Sequence, residues 1–280
     1  MASIRRMLAQ YHIAPSKGLG QSFLADQAVM HAIVAAAELT SDQTVLEIGP
    51  GLGLLTRQLA ESAGLVVAVE LDSRMVEVLN QELSDLPNLQ LLQGDILEID
   101  YVSELATATG REEAQLGYLV VANLPYYITS QAIRRLLEAR VPPSRMVLMV
   151  QREVAERIVA QPGEMSLLAL SVQIYGEARI VRKVPASAFH PRPKVDSAVL
   201  RVDLYEEPLV SELVRETVFR IARAAFGQRR KQIHNSLAAN LGMSSDLVQA
   251  TLHDCDIDQR RRPQSLSIDE WIKLAGAFGP

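Results

Sequence analysis

The sequence contains one cysteine, Cys255, in 280 residues. A single thiol excludes an internal disulfide and any metal site built from several thiolates, and it agrees with a reducing compartment such as the cytoplasm. As a residue type on its own, Cys255 reads as a small buried hydrophobe. No run approaches the roughly 18 uninterrupted apolar residues of a membrane span. The first residues, Met1 to Met7, carry two arginines and no sustained apolar stretch, so neither secretion nor membrane insertion is expected. There is no internal repeat and no low-complexity tract. What remains is a chain with 48 % hydrophobic residues, enough to bury a large core in one ample domain or in a main domain with a smaller appendage.

An overall positive charge is also missing. The formal net charge is −5 and the sequence pI is near 5.6, which argues against indiscriminate binding to nucleic acid. The basic residues are instead grouped. Five of them (Arg220, Arg223, Arg229, Arg230 and Lys231) occupy 220–231 with no acid among them. Arg260, Arg261 and Arg262 form a second group, and Arg5, Arg6 and Lys17 all precede the first acid, Asp26. Such runs are often solvated helix faces, but three of them against an acidic total point to a phosphate-bearing partner.

From Gln43 to about Gln151, short apolar runs alternate with stretches of helical period, which predicts a mostly parallel sheet covered by helices on both faces. The predicted strands are 45–48, 65–69, 89–92, 119–121 and 146–150, with two more at 178–184 and 197–204. Met75, Val76, Leu79 and Leu83 predict one helix stripe. Residues 166–175 are apolar almost throughout and fit either strand or helix, while the polar stretch 106–115 reads as a surface loop or a loose helix. Glu206, Glu207 and Pro208 mark a boundary. Beyond it four helices are expected, at 210–226, 231–241, 245–253 and 268–278, the last capped by Ser267 with Glu270 three residues on. The expected organisation is thus a Rossmann-like α/β domain over 1–205, with residues 1–40 as an extension serving the site, and a small helical domain over 206–280.

Gly49, Gly51 and Gly53 follow the first main strand, where a strand-to-helix turn requires positive φ and a close approach of backbone to ligand. The spacing does not complete the dinucleotide pattern G-x-G-x-x-G, because Thr56 or Leu54 falls where its third glycine belongs. It resembles the E-x-G-x-G-x-G turn of S-adenosylmethionine-dependent methyltransferases, whose donor has no pyrophosphate to cradle. Glu70 ends the next strand about 20 residues on, where a carboxylate can accept from two ribose hydroxyls. Asp95 closes the third strand and is placed to accept from an adenine amino group. After the fourth come Asn123, Leu124, Pro125 and Tyr126. Alone they would be an Asn-initiated turn. As chemistry they suit an adenine amine, whose lone pair is delocalised into the ring. The Asn123 side-chain oxygen and the Leu124 carbonyl, held by Pro125, can accept its N–H groups and turn the lone pair outward, while Tyr126 stacks on an extruded base.

With these motifs, the sequence resembles the KsgA-type small-subunit ribosomal RNA adenine N6-dimethyltransferases over nearly its whole length. The resemblance includes K-G-L-G-Q-S-F-L at 17–24, V-Q-R-E-V-A at 150–155, F-H-P-R-P-K-V-D-S at 189–197 and A-F-G-Q-R-R-K at 225–231. Ser22 stands where the family motif usually has asparagine. The resemblance implies S-adenosylmethionine as methyl donor, no metal, and double methylation of two adjacent adenines in the 3′-terminal hairpin of 16S rRNA within the immature small (30S) ribosomal subunit. It places Ser22, Leu24, Gly49, Gly51, Glu70, Asp95 and Asn123 at the donor. It also sets Phe189 over the target base opposite Tyr126, although phenylalanine by itself reads as core. Arg220, Arg223, Arg229, Arg230 and Lys231 are expected on RNA phosphates, giving register without sequence readout. A monomer is expected.

Two other readings compete. A macrolide-resistance type of 23S rRNA adenine methyltransferase shares the donor turn and an Asn-x-Pro-Tyr motif, but Leu124, the 189–197 segment and the acidic pI favour the small-subunit enzyme. An assembly factor acting mainly by binding the immature small subunit would not need Glu70, Asp95, Asn123 and Tyr126 intact.

Overall fold

A computed structural model describes residues 2–16, 18–228 and 230–279. In chain order the elements are α1 (Ala2–Gln10), β1 (Phe23–Leu24), α2 (Gln27–Ala37), β2 (Thr44–Ile48), α3 (Leu54–Ala60), β3 (Leu65–Glu70), α4 (Ser73–Glu82), β4 (Leu89–Gln93), α5 (Tyr101–Thr109), β5 (Tyr118–Asn123), α6 (Thr129–Leu137), β6 (Arg145–Gln151), α7 (Arg152–Ile158), α8 (Leu167–Gln173), β7 (Gly176–Val184), β8 (Phe189–His190), β9 (Ser197–Leu204), α9 (Glu212–Phe226), α10 (Ile233–Leu241), α11 (Ser245–Asp254) and α12 (Ile268–Phe278). None of the described helices is long and apolar enough to cross a membrane.

The chain divides into two compact units. One comprises residues 1–155 with 179–204, and the other 156–178 with 205–280. Residues 156–178, counted with the catalytic domain from the sequence, therefore group with the C-terminal helices. Within the ambiguous stretch 166–175, residues 167–173 are helical and Ser166 caps them: its hydroxyl accepts from the Ala169 N–H at 3.1 Å, a typical N-cap bond.

The first unit holds a seven-stranded sheet of order β4-β3-β2-β5-β6-β9-β7. Strands β2 to β6 pair in parallel, and β9 runs antiparallel to β6 with Ser197 opposite Gln151. This is the expected doubly wound α/β arrangement. Its order reverses at β2, whose neighbours are β3 on one side and β5 on the other, and such a switch point opens a crevice at the carboxyl ends of the strands. All five residues of β2 are buried, so its side chains bear on core at both faces, as a central parallel strand requires.

Several local expectations change. In α4 the buried face is Met75, Val78 and Leu79, with Leu83 just beyond. Val76 is only half-buried, so the true stripe runs through Val78. The polar stretch at 106–115 ends a real helix: α5 begins at Tyr101 and buries Tyr101, Val102 and Leu105, apolar anchors upstream of the polar part. A two-stranded antiparallel pair, β1 with β8, joins Phe23 to His190 and Leu24 to Phe189.

In the second unit, α12 carries the expected capping box: Ser267 and Glu270 each accept from the other's backbone N–H. Phe226 and Trp271 pack at 5.5 Å between ring centroids. Cys255 is buried, and burial raises its thiol pKa. Of the second basic group, Arg260 pairs with Asp258, and Arg261 donates to Glu270 from both Nη1 and Nη2. Arg261 therefore ties the turn before α12 to that helix, while Arg260 stays largely exposed.

Candidate active site

The crevice at the switch point is a cavity within the sheet unit, open on one side, and Ser22, Gly49, Gly51, Glu70, Asn123, Leu124, Pro125, Tyr126 and Phe189 all line it. Its floor comes from three strand ends: β2 leads into Gly49, β3 ends at Glu70, and β5 ends at Asn123.

The glycine turn is needed for room as well as for conformation. Gly51 has φ of +59°, and a Cβ on it would fall 3.1 Å from the Phe23 ring. A side chain there would be strained at this φ and would press on the Phe23 ring. The Gly51 N–H donates to Glu70 Oε2 at 3.0 Å, and the Asp72 N–H donates to Oε1 at 2.9 Å. Glu70 is 7 % exposed. Burial raises its pKa against the pull of those two N–H groups. Each oxygen retains a further acceptor site, since an ionised carboxylate has about four, and Glu70 lines the cavity. Asp72 in turn accepts from Gln21 Nε2 at 2.9 Å, and Arg74 holds the Asp72 carboxyl below its usual range. The 17–24 motif is thereby tied to the residues that fix Glu70.

Asn123 Nδ2 donates to the main-chain carbonyl of Ser22 at 3.3 Å. That bond orients the amide and leaves Oδ1 as an acceptor. It also uses the Ser22 backbone, so it does not depend on which side chain stands at this position. The Leu124 N–H donates to the Met149 carbonyl at 3.2 Å, holding the start of the tetrapeptide against β6. Ile128 N–H and Thr129 Oγ1 both donate to the Pro125 carbonyl, which turns the chain into α6. The Tyr126 hydroxyl meets Ser197 Oγ at 2.8 Å, and burial raises its pKa.

Phe189 is 2 % exposed and belongs to the sheet unit's hydrophobic core, yet one edge of it reaches the cavity wall. Core residue and wall residue are here the same residue. Leu24 and Asp95 do not line this cavity. Leu24 is buried beside Phe189 in β1 and borders a small neighbouring cavity with Glu47, Gly49 and Gly51. Asp95 Oδ1 accepts from the Leu97 N–H at 2.8 Å, closing the turn after β4. The Gly94 N–H donates to the Glu70 carbonyl, which keeps Asp95 next to the end of β3. Leu19, Gly20, Gln21, Phe23, Leu71 and Tyr127 complete the lining, and they were not singled out from the sequence. Gln21 and Phe23 sit inside the 17–24 motif, and Leu71 and Tyr127 directly follow Glu70 and Tyr126, so adjacency was the available signal.

In the helical unit, Arg220, Arg223, Arg230 and Lys231 are exposed. Arg220 Nη2 donates to the Gly279 carbonyl at 2.8 Å. Arg220 and Arg223 are three apart on α9 and so share a face. Arg229 lies outside the described residues.

Residues 15–278 match the family described as ribosomal RNA adenine dimethylase. The chain belongs to this family. Among relatives of the rRNA adenine dimethylase family, the ribosomal RNA small subunit methyltransferase A of Dehalococcoides mccartyi (strain CBDB1) is 43 % identical over 277 residues, covering 98 % of this chain and 92 % of the relative. That of Bacillus pumilus (strain SAFR-032) is 41 % identical over 281 residues, with 98 % and 94 % covered. A dimethyladenosine transferase from Plasmodium falciparum superimposes with a TM-score of 0.75 at 26 % identity, covering 90 % of this chain and 95 % of its own. The 23S rRNA methyltransferase ErmE does so at 0.71 and 29 %, covering 91 % and 98 %. The sheet unit of this rRNA adenine dimethylase therefore has the Rossmann-like fold of the S-adenosylmethionine-dependent methyltransferases.

Proposed function

We propose that the protein transfers methyl groups from S-adenosylmethionine to the N6 amine of adenines in 16S rRNA, on two adjacent adenines of the 3′-terminal hairpin, while the small subunit is being assembled in the cytoplasm. The reading rests above all on the oriented Asn123 amide. With Nδ2 committed to the Ser22 carbonyl, Oδ1 is left to accept an N–H of the acceptor amine, inside a cavity that Tyr126 and Phe189 also line. Resemblance of the whole chain to small-subunit methyltransferases at 41–43 % identity, against 29 % to the 23S rRNA enzyme, supports small-subunit rather than large-subunit RNA.

The residues present suit the donor. Glu70 is ready to accept from a ribose diol and is already fixed by two backbone N–H groups, and the Gly49–Gly51 turn leaves no Cβ between backbone and ligand. When bound, S-adenosylmethionine supplies an electrophilic methyl group on a sulfonium. Asn123 Oδ1 and the Leu124 carbonyl accept from the amine and draw its lone pair out of conjugation with the ring, in line with that methyl. Tyr126 stacks on one face of the base and the edge of Phe189 bounds the other side, a slot that requires the base to leave its stack. On transfer the methyl–sulfur bond would break, its electron pair staying on sulfur as the neutral thioether of S-adenosylhomocysteine, and the methylated nitrogen, then strongly acidic, would lose its proton to water, so no protein base is required. The exposed arginines and lysine of the helical unit give register on phosphates without reading sequence.

The test is mass spectrometry of RNA from small subunits that lack the modification, incubated with the protein and S-adenosylmethionine beside naked RNA and large subunits. Dimethyladenosine at two neighbouring 3′-terminal positions of the small subunits alone is the expected result. Tight particle binding without methyl transfer would shift the assignment to an assembly factor, and modification of large subunits alone would shift it to the 23S type.

A further inference from the structure

Two consecutive tyrosines face opposite fates. Tyr126 is half-buried with its hydroxyl on Ser197, whereas Tyr127 is 57 % exposed. Tyr127 nevertheless lines the cavity, at a mouth it shares with Leu19, Gly20 and Leu71. Its ring lies over Gly20, where a Cβ would sit 3.6 Å from Cδ1. Gly20 has φ of +60°, a conformation that glycine adopts without strain. The ring belongs to none of the described core clusters. An aromatic face is thus held toward solvent at the entrance of the site, where packing does not call for one.

A base inserted between Tyr126 and Phe189 has left its stack, and the next base along the strand has lost a stacking neighbour. The exposed Tyr127 ring lines the same cavity as Tyr126, which puts it within reach of the nucleotide following the one in the slot. Aromatic side chains take up such bases readily, because every base has a π-face. We infer that Tyr127 is a stacking platform for the base that flanks the target adenine, a subsite outside the Tyr126–Phe189 slot for single-stranded RNA. The inference rests on the reading that an adenine enters this cavity. The subsite tolerates any flanking base but is best served by a purine, and it holds the untransformed neighbour of an adjacent adenine pair while its partner reacts.

The test compares Tyr127→Phe and Tyr127→Leu with the wild type in methyl transfer to unmodified small subunits at saturating donor, together with calorimetric binding of S-adenosylhomocysteine. A second substrate is made by reconstituting small subunits with an abasic nucleotide beside the target. On the intact substrate, Tyr127→Phe should match the wild type, while Tyr127→Leu should lose roughly 10-fold in kcat/KM, mainly through KM, a factor in line with base–aromatic stacking. On the abasic substrate wild type and Tyr127→Leu should be equal, since the base that stacks is gone. Affinity for S-adenosylhomocysteine should be unchanged. An equal loss on both substrates, no loss at all, or a parallel loss of S-adenosylhomocysteine affinity would each overturn the inference, the last by showing that Tyr127 covers the donor. If the wild type modifies no small subunit, the adenine reading itself fails and the inference falls with it.

Discussion

The Tyr126 hydroxyl and the Ser197 hydroxyl lie 2.8 Å apart, joining the loop after β5 to the first residue of β9. Ser197 is fully buried, so its oxygen is a fixed point against which the tyrosine ring is set. A neutral hydrogen bond is worth about 0.5–1.5 kcal/mol net. Ser197→Ala should therefore lower kcat by about 2- to 10-fold while leaving donor affinity unchanged. Tyr126→Phe should do the same, and the double variant should be no worse than either alone. Additive losses in that cycle would show that the two hydroxyls act separately.

Glu70→Gln should weaken binding of S-adenosylhomocysteine by at least about 10-fold and lower the melting temperature by a few degrees. Both carboxylate oxygens accept from backbone N–H groups, and an amide has only one oxygen. Its NH₂ would face either Gly51 or Asp72, leaving a buried donor without a partner at about 1–3 kcal/mol. Titration calorimetry and thermal unfolding together check both parts. Unchanged stability would mean that the turn does not depend on Glu70.

Ser22→Ala and Asn123→Ala should behave very differently. Asn123 bonds to the Ser22 main chain, which alanine preserves, so Ser22→Ala should keep transfer within about threefold of the wild type. Asn123→Ala removes the oxygen that orients the acceptor and should reduce transfer by about 100-fold or more, as loss of a preorganised polar group does, with particle binding nearly intact. Single-turnover methylation and particle co-sedimentation separate the two effects. Equal defects in both variants would assign the role to the Ser22 side chain.

Glu47 lies near the carboxyl end of β2, 1 % exposed, with burial pushing its pKa up to about 8 from an ordinary 4.5. The folded chain keeps this proton where the unfolded chain releases it. The group's contribution to stability is therefore fully present below pH 4.5 and is lost as pH rises to about 8. Glu47→Gln does not titrate, so its melting temperature relative to the wild type should rise steadily between pH 5 and pH 8. A flat or falling difference would show that Glu47 is ionised in the folded protein.

Replacing Arg220, Arg223, Arg230 and Lys231 together by alanine should weaken particle binding and flatten its dependence on salt, by roughly one unit of slope for each phosphate contact removed. Donor affinity should stay the same. An unchanged slope in binding measured across salt concentrations would remove this face from the RNA contact.

The sequence by itself determined the α/β order of elements, the glycine turn, the acidic ends of the strands and the acceptor tetrapeptide. Each is a short motif whose chemistry lies in covalently adjacent residues, and the apolar runs around it have the period of strand or helix. Tertiary structure decided what depends on residues far apart in the chain. Phe23 meets His190 only when the sheet has closed, and a two-residue strand has no periodicity to announce it. The same closure brings the Ser22 carbonyl to Asn123 and makes Phe189 both core and cavity wall. It also sorted like from like. Two adjacent tyrosines parted because only one has a buried hydroxyl to bond to, and Arg261 left the candidate RNA face because Glu270 sits across from it. Such pairings are decided by which group arrives within hydrogen-bond distance after packing, and local sequence does not carry that information.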